Sequence, residues 1–205
     1  MTYIADIISK TGLKGWLLDL TTSAVYVLLL ELSVLIIGWV VNKIEQFQLR
    51  MLSNTTSNKI ACFICNRVTF IGTVIHELSH ALFVILTGAK LIKVKIFEIS
   101  KDGTLGHVEF ALQGKKWKQF FQLSLISCAP VFMGILIEYL LIKIVLTYSL
   151  GLWIEILLWY VIISVFDHMS MSNVDIKNYL HGMIVVYPVL TVLIMFVYYF
   201  FLKQA

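Results

Sequence analysis

Apolar residues in this chain come in long runs separated by short polar stretches. Five runs, roughly 21–41, 62–87, 120–147, 151–166 and 183–202, approach the about 20 residues a helix needs to cross a hydrocarbon core. The fourth is short and fits a tilted or incomplete span. Between the second and third runs the pattern changes: Leu91 to Ile96 partly alternates, Asp102-Gly103 is a turn pair, and Thr104 to Phe110 can return as a second strand. Between the fourth and fifth lies a polar interruption, Asp167 to Gly182. Ahead of the first run, Ile4, Ile7, Ile8 and Trp16 stand among polar residues, which suits an interfacial helix or a frayed terminus equally. The pattern therefore predicts an all-α polytopic membrane protein, with about five transmembrane helices and a small β-hairpin after the second, as one domain over 1–205.

Composition agrees. The 205 residues are 60% apolar and 14% charged, whereas soluble domains are about 45–50% apolar and about 25% charged. A net charge of +4 suits anionic lipid head groups and gives no argument for nucleic acid. With five spans, the amino-terminal side collects ten of the basic residues, seven of them lysines of 90–118, against six on the other side. That bias predicts a multi-pass protein of the cell membrane with a cytoplasmic amino terminus. Asp6, Lys10, Lys14 and Asp19 precede the first run and no small-residue cleavage site follows, so no cleavable signal peptide is expected.

The candidate chemistry sits inside the second run, as His76-Glu77-Leu78-Ser79-His80. An ionisable side chain at membrane depth costs at least about 2.5 kcal/mol, so three together call for a functional reason. On a helix, His76 and His80 are offset by about 40° and share a face one turn apart, where both imidazoles can reach one zinc. Glu77 beside them can act as general base. Gly72, a turn earlier, leaves room for a neighbouring helix or substrate, and Thr73 and Ser79 can supply supporting hydrogen bonds. The bland alternative is a pair of histidines satisfied by neighbouring carbonyls, with Glu77 in an ion pair. Zinc needs a third protein ligand, and the polar segment offers Asp167, His168, Asp175 and His181.

The run from Thr73 to Gly88, then a strand-rich segment, then Ser172-Asn-Val-Asp175-Ile-Lys-Asn178, resembles the site-2 protease family of intramembrane zinc metalloproteases, and its small bacterial members most. The resemblance covers about 110 residues, within a zinc-site core of about 62–182. It implies zinc held by His76, His80 and Asp175, with Glu77 as catalytic base, in a bacterial cytoplasmic membrane. Ile176 follows Asp175 where the family commonly has glycine. The implied reaction is hydrolysis of a peptide bond in or near a transmembrane segment. The implied partners are a membrane protein or peptide substrate and the lipid bilayer. Asn173 and Asn178 are candidate oxyanion donors, or simply caps, and the hairpin can offer a free edge to an unwound substrate or lie as a sheet on the membrane surface.

Two rival functions stay open. One is a non-catalytic zinc-fold protein that binds, escorts or gives immunity to a peptide, for which Glu77 has no use. The other is a transporter or channel subunit using Glu31, Glu138 and Glu155, which otherwise read as polar contacts between helices. Cys62-Phe-Ile-Cys65 has metal spacing, but Cys65 lies about 16 Å along a continuous helix from His76, and small buried hydrophobes are the better reading. The third cysteine, Cys128, adds no disulfide framework. Pro130 and Pro188 predict kinks. Trp16, Trp117, Trp153 and Trp159 fit interfacial anchors, and His107 reads as a surface residue.

Overall fold

The computed structural model describes residues 2–57, 60–61, 68–99 and 105–202. A short helix α1 (Thr2–Ser9) leads into α2 (Trp16–Thr55), which is 40 residues long. Its apolar part ends near Val41; the polar remainder, with Asn42, Lys43, Glu45, Gln46 and Gln48, continues as the same helix. The helix stops where Thr56 turns extended and its N–H and hydroxyl both donate to the Leu52 carbonyl.

Helix α3 (Phe70–Leu86) carries the histidine motif. It ends in a Schellman pattern: Gly88 takes φ +70°, its N–H donates to the Ile85 carbonyl, and the Ala89 N–H donates to Val84. The chain turns there into β1 (Lys90–Ile99), which pairs antiparallel with β2 (Leu105–Ala111). Val94 faces Val108 and Lys95 faces His107 in the register, which is interrupted between Leu91 and Lys93 and between Lys95 and Ile99. The Asp102-Gly103 turn expected from the sequence lies outside the described residues, as do Cys62 and Cys65.

Helix α4 (Lys116–Thr147) contains Pro130 and is the hub, touching α2, α3, α5 (Leu152–His168) and α6 (Asn173–Val197). A π-helical turn, Tyr198–Leu202, continues α6. The polar stretch 167–182 is mostly helical, and the last helix begins ten residues before the 183 expected for the fifth span. Only 169–172 leave the helical conformation; α5 runs through His168, and a capping box starts α6 at Asn173, so Asp175 sits in a helical first turn. Asp175 accepts from the Ser172 N–H while the Ser172 hydroxyl accepts from the Asp175 N–H, satisfying two amides that would otherwise be orphaned.

The outside of the bundle is oily and much of the inside is polar. Leu28, Leu29, Ile36, Leu136, Leu140, Val192 and Leu193 are exposed, while Thr22, Ser23, Glu31, Gln122, Ser124, Ser127, Ser164 and Thr191 are buried. A chain in water inverts that arrangement; one in lipid has nothing to gain by hiding its leucines. The apolar core proper gathers Val34, Cys128, Val131, Met171 and Tyr179. Small residues set the helix spacing: a Cβ at Gly182 would collide with Ser124 and the Phe120 carbonyl of α4.

Among the described residues, three helices are long and apolar enough to cross a membrane: α2, α4 and α6 with its extension. The second and fourth of the five expected spans correspond to α3 and α5, each 17 residues. At 1.5 Å per residue that is about 26 Å, short of the about 30 Å core.

Candidate metal centre

The site is built where α3, α4, α5 and the start of α6 meet. Helix α3 is pressed against α5 at Gly72, whose N–H donates to Ser164 Oγ at 2.8 Å; that hydroxyl donates in turn to the Thr69 carbonyl at 2.8 Å. A Cβ at residue 72 would run into the Ser164 carbonyl. The room left by this glycine is thus filled by α5.

One turn on, His76 Nδ1 lies 2.6 Å from the His168 carbonyl oxygen, and His80 Nδ1 lies 2.8 Å from that of Ile126. Carbonyls only accept, so both Nδ1 atoms carry the proton. In its neutral form each ring then presents a lone pair at Nε2. These two Nε2 atoms are 3.1 Å apart. Facing lone pairs do not bond each other, but a tetrahedral ion at about 2.05 Å from each would hold two nitrogens about 3.3 Å apart. The bland alternative therefore describes half of each ring. Carbonyls do satisfy Nδ1, and the other edges converge on a common point.

Asp175 brings the third donor. Its Oδ2 is 4.0 Å from His80 Nε2, and ligand atoms of His76, His80 and Asp175 all lie within 4.8 Å of one another. No other group of three potential ligands gathers in this way among the described residues. The Ser172 hydroxyl donates to the same Oδ2 at 2.6 Å, which orients the carboxylate as well as capping the helix. Two imidazoles and one hydrogen-bonded carboxylate, each fixed by an outer partner, are a donor set that suits zinc.

The other candidates are engaged elsewhere. Asp167 accepts from Gln48 Nε2 at 3.2 Å; the His168 ring donates to the Ser164 carbonyl at 3.1 Å; exposed His181 donates to Lys177 in its own helix at 2.7 Å. The supporting roles expected of Thr73 and Ser79 are not seen. Ser79 Oγ donates back to the Ile75 carbonyl at 2.6 Å, and Thr73 Oγ1 is buried without a partner. Sequence reasoning missed the carbonyls of Ile126 and His168; Pro130, four residues after Ile126, was the available signal for the first.

Glu77 is 6% exposed. Strand β2 lies directly on it: a Cβ at Gly106 would come within 2.9 Å of Glu77 Cγ. Gly106 has φ +88°, so glycine answers both the conformation and the close approach. His107, next along β2, is half-buried and its Nε2 meets Glu109 Oε1 at 3.2 Å. Asn173 is exposed and Asn178 half-buried on the first turns of α6. Among the acids within the apolar runs, Glu31 is 2% exposed with neither oxygen hydrogen-bonded, Glu138 Oε1 is likewise unpartnered, and Glu155 is half-buried.

No family model matches this chain, and no curated protein or solved structure matches it either, so the functional reading rests on the geometry of this one site.

Proposed function

We propose that this chain is an intramembrane zinc metalloendopeptidase, similar to the site-2 proteases, that hydrolyses a peptide bond in or near a transmembrane segment of its substrate. The observation that carries the reading is the convergence of two carbonyl-anchored imidazoles and the Asp175 carboxylate beside a buried Glu77. His76, His80 and Asp175 would hold the zinc. Bound zinc supplies Lewis acidity, which makes water nucleophilic near neutral pH and polarises the scissile carbonyl. Glu77 accepts the proton of the attacking water and returns it to the amine nitrogen as the C–N bond breaks. Helices α3 and α5 cross or enter the bilayer with α2, α4 and α6, giving five membrane segments. The chain is then a multi-pass protein of a bacterial cytoplasmic membrane with its amino terminus in the cytoplasm. Strand β2, resting on Glu77, supports docking of an unwound substrate segment at the edge of the hairpin.

The test is cleavage of a co-expressed single-span substrate by the wild type and by Glu77→Gln. Cleavage by the first and not the second is expected, together with loss of cleavage on chelation and its return with zinc. Equal cleavage by both proteins would remove Glu77 from the mechanism.

A further inference from the structure

Both ligand histidines are anchored by carbonyls that their own helices do not use. In an α-helix the N–H of residue 130 belongs to the carbonyl of residue 126. Residue 130 is proline, which has no N–H and whose ring crowds that carbonyl away from the helix axis. Ile126, Cys128, Ala129 and Pro130 are all buried, so no solvent can take the vacated oxygen. A carbonyl left open at membrane depth needs a partner. The partner is His80 Nδ1, at 2.8 Å, reaching across from α3. The His76 anchor follows the same logic: His168 ends α5, and the N–H four residues on, at Ser172, is taken by Asp175.

We propose that Pro130 is a positioning residue of the metal centre, withholding an N–H from the Ile126 carbonyl so that this oxygen holds His80 with Nε2 free. The inference rests on the metal-centre reading above and adds a residue that neither binds the ion nor meets substrate. Pro188 supplies the contrast. It too lies inside a helix, α6, but the residue four before it, Ile184, is 72% exposed and faces no histidine.

The experiment uses the full chain in detergent or lipid. It measures zinc affinity by chelator competition, the absorption bands of the cobalt-substituted protein, and nitrogen-15 shifts of the His80 ring without metal. Pro130→Ala restores the N–H and draws the Ile126 carbonyl back into the helix. Zinc binding is expected to weaken at least about ten-fold, the range for loss of an outer partner of a metal ligand. Its cobalt bands shift, and the His80 ring changes from Nδ1-protonated to a mixture of tautomers. Thermal stability of the metal-free variant changes little, because the gain from removing an interior proline offsets the hydrogen bond lost at His80. Pro188→Ala leaves zinc affinity unchanged. Lactic acid in place of residue 130, which lacks the N–H without having the ring, binds zinc within about three-fold of the wild type.

Wild-type zinc affinity and cobalt bands in Pro130→Ala would overturn the inference, as would a lactic-acid variant as weak as the alanine one. If the wild type binds no zinc, or His80→Ala binds it equally well, the metal-centre reading fails instead. The tautomer measurement then decides on Pro130 alone: an unchanged Nδ1-protonated ring in Pro130→Ala would refute it.

Discussion

Two acids of this bundle, Asp175 and Glu31, are set among its helices in opposite ways. Asp175 is held by the Ser172 N–H and hydroxyl, and its Oδ2 lies 4.0 Å from His80 Nε2. Glu31, on α2, lines a cavity of about 30 Å³ with Ser124, Cys128 and Tyr179, and neither of its oxygens has a hydrogen-bond partner. The first environment is built for a carboxylate, because fixed donors and a cation would replace the water it has lost. The second offers no compensation for charge. Burial alone does not mark a working group; what marks it is a shell of partners that leaves chosen atoms free.

The comparison can be broken most sharply at the centre of the reacting side. Glu77→Gln keeps the shape of the site and removes the base, so cleavage of a single-span substrate is expected to fall by about 10²–10⁴-fold, read by product formation in membranes. Asp175→Asn comes next. Asparagine can still cap α6, so folding persists while zinc affinity falls at least about ten-fold in chelator titration. Unchanged zinc affinity with only the stability reduced would make Asp175 a cap and nothing more. Ser172→Ala removes the cap and the hydroxyl that orients Asp175; unfolding in detergent should show a loss of about 1 kcal/mol, with weaker zinc binding. Glu31→Leu has the smallest expected effect and the opposite sign. Replacing an unpartnered buried acid with a leucine is neutral or stabilising by about 1 kcal/mol in thermal unfolding. Lost cleavage in this variant, with the fold intact, would place Glu31 in the function and revive the proton- or ion-path reading.

The parts legible in the sequence were those written in consecutive residues. His76 and His80 share a face because four residues make about one helical turn, and the embedding run made their cost visible. The two paired strands showed in the alternation of 91–96 and the run 104–110. The start of α6 was hidden because the fifth span was placed by its apolar run, which begins at 183, while the helix begins in the polar stretch at Asn173. The capping box was present as Ser172-x-x-Asp175, one residue type away from the usual Glu or Gln. Thr73 and Ser79 were natural supporters by proximity, yet a serine in a helix most easily bonds its own backbone, as Ser79 does with Ile75.

By itself the amino-acid sequence determined that the chain is built for an apolar surrounding, and that two imidazoles and Glu77 share one helix. Those are properties of composition and of the helical repeat, and they need no partner. Tertiary structure alone decided which of four polar residues joins the pair, which ring nitrogen each histidine leaves free, and which strand covers Glu77. Each of these depends on where another segment places one atom to within about an ångström, and no local periodicity carries that information.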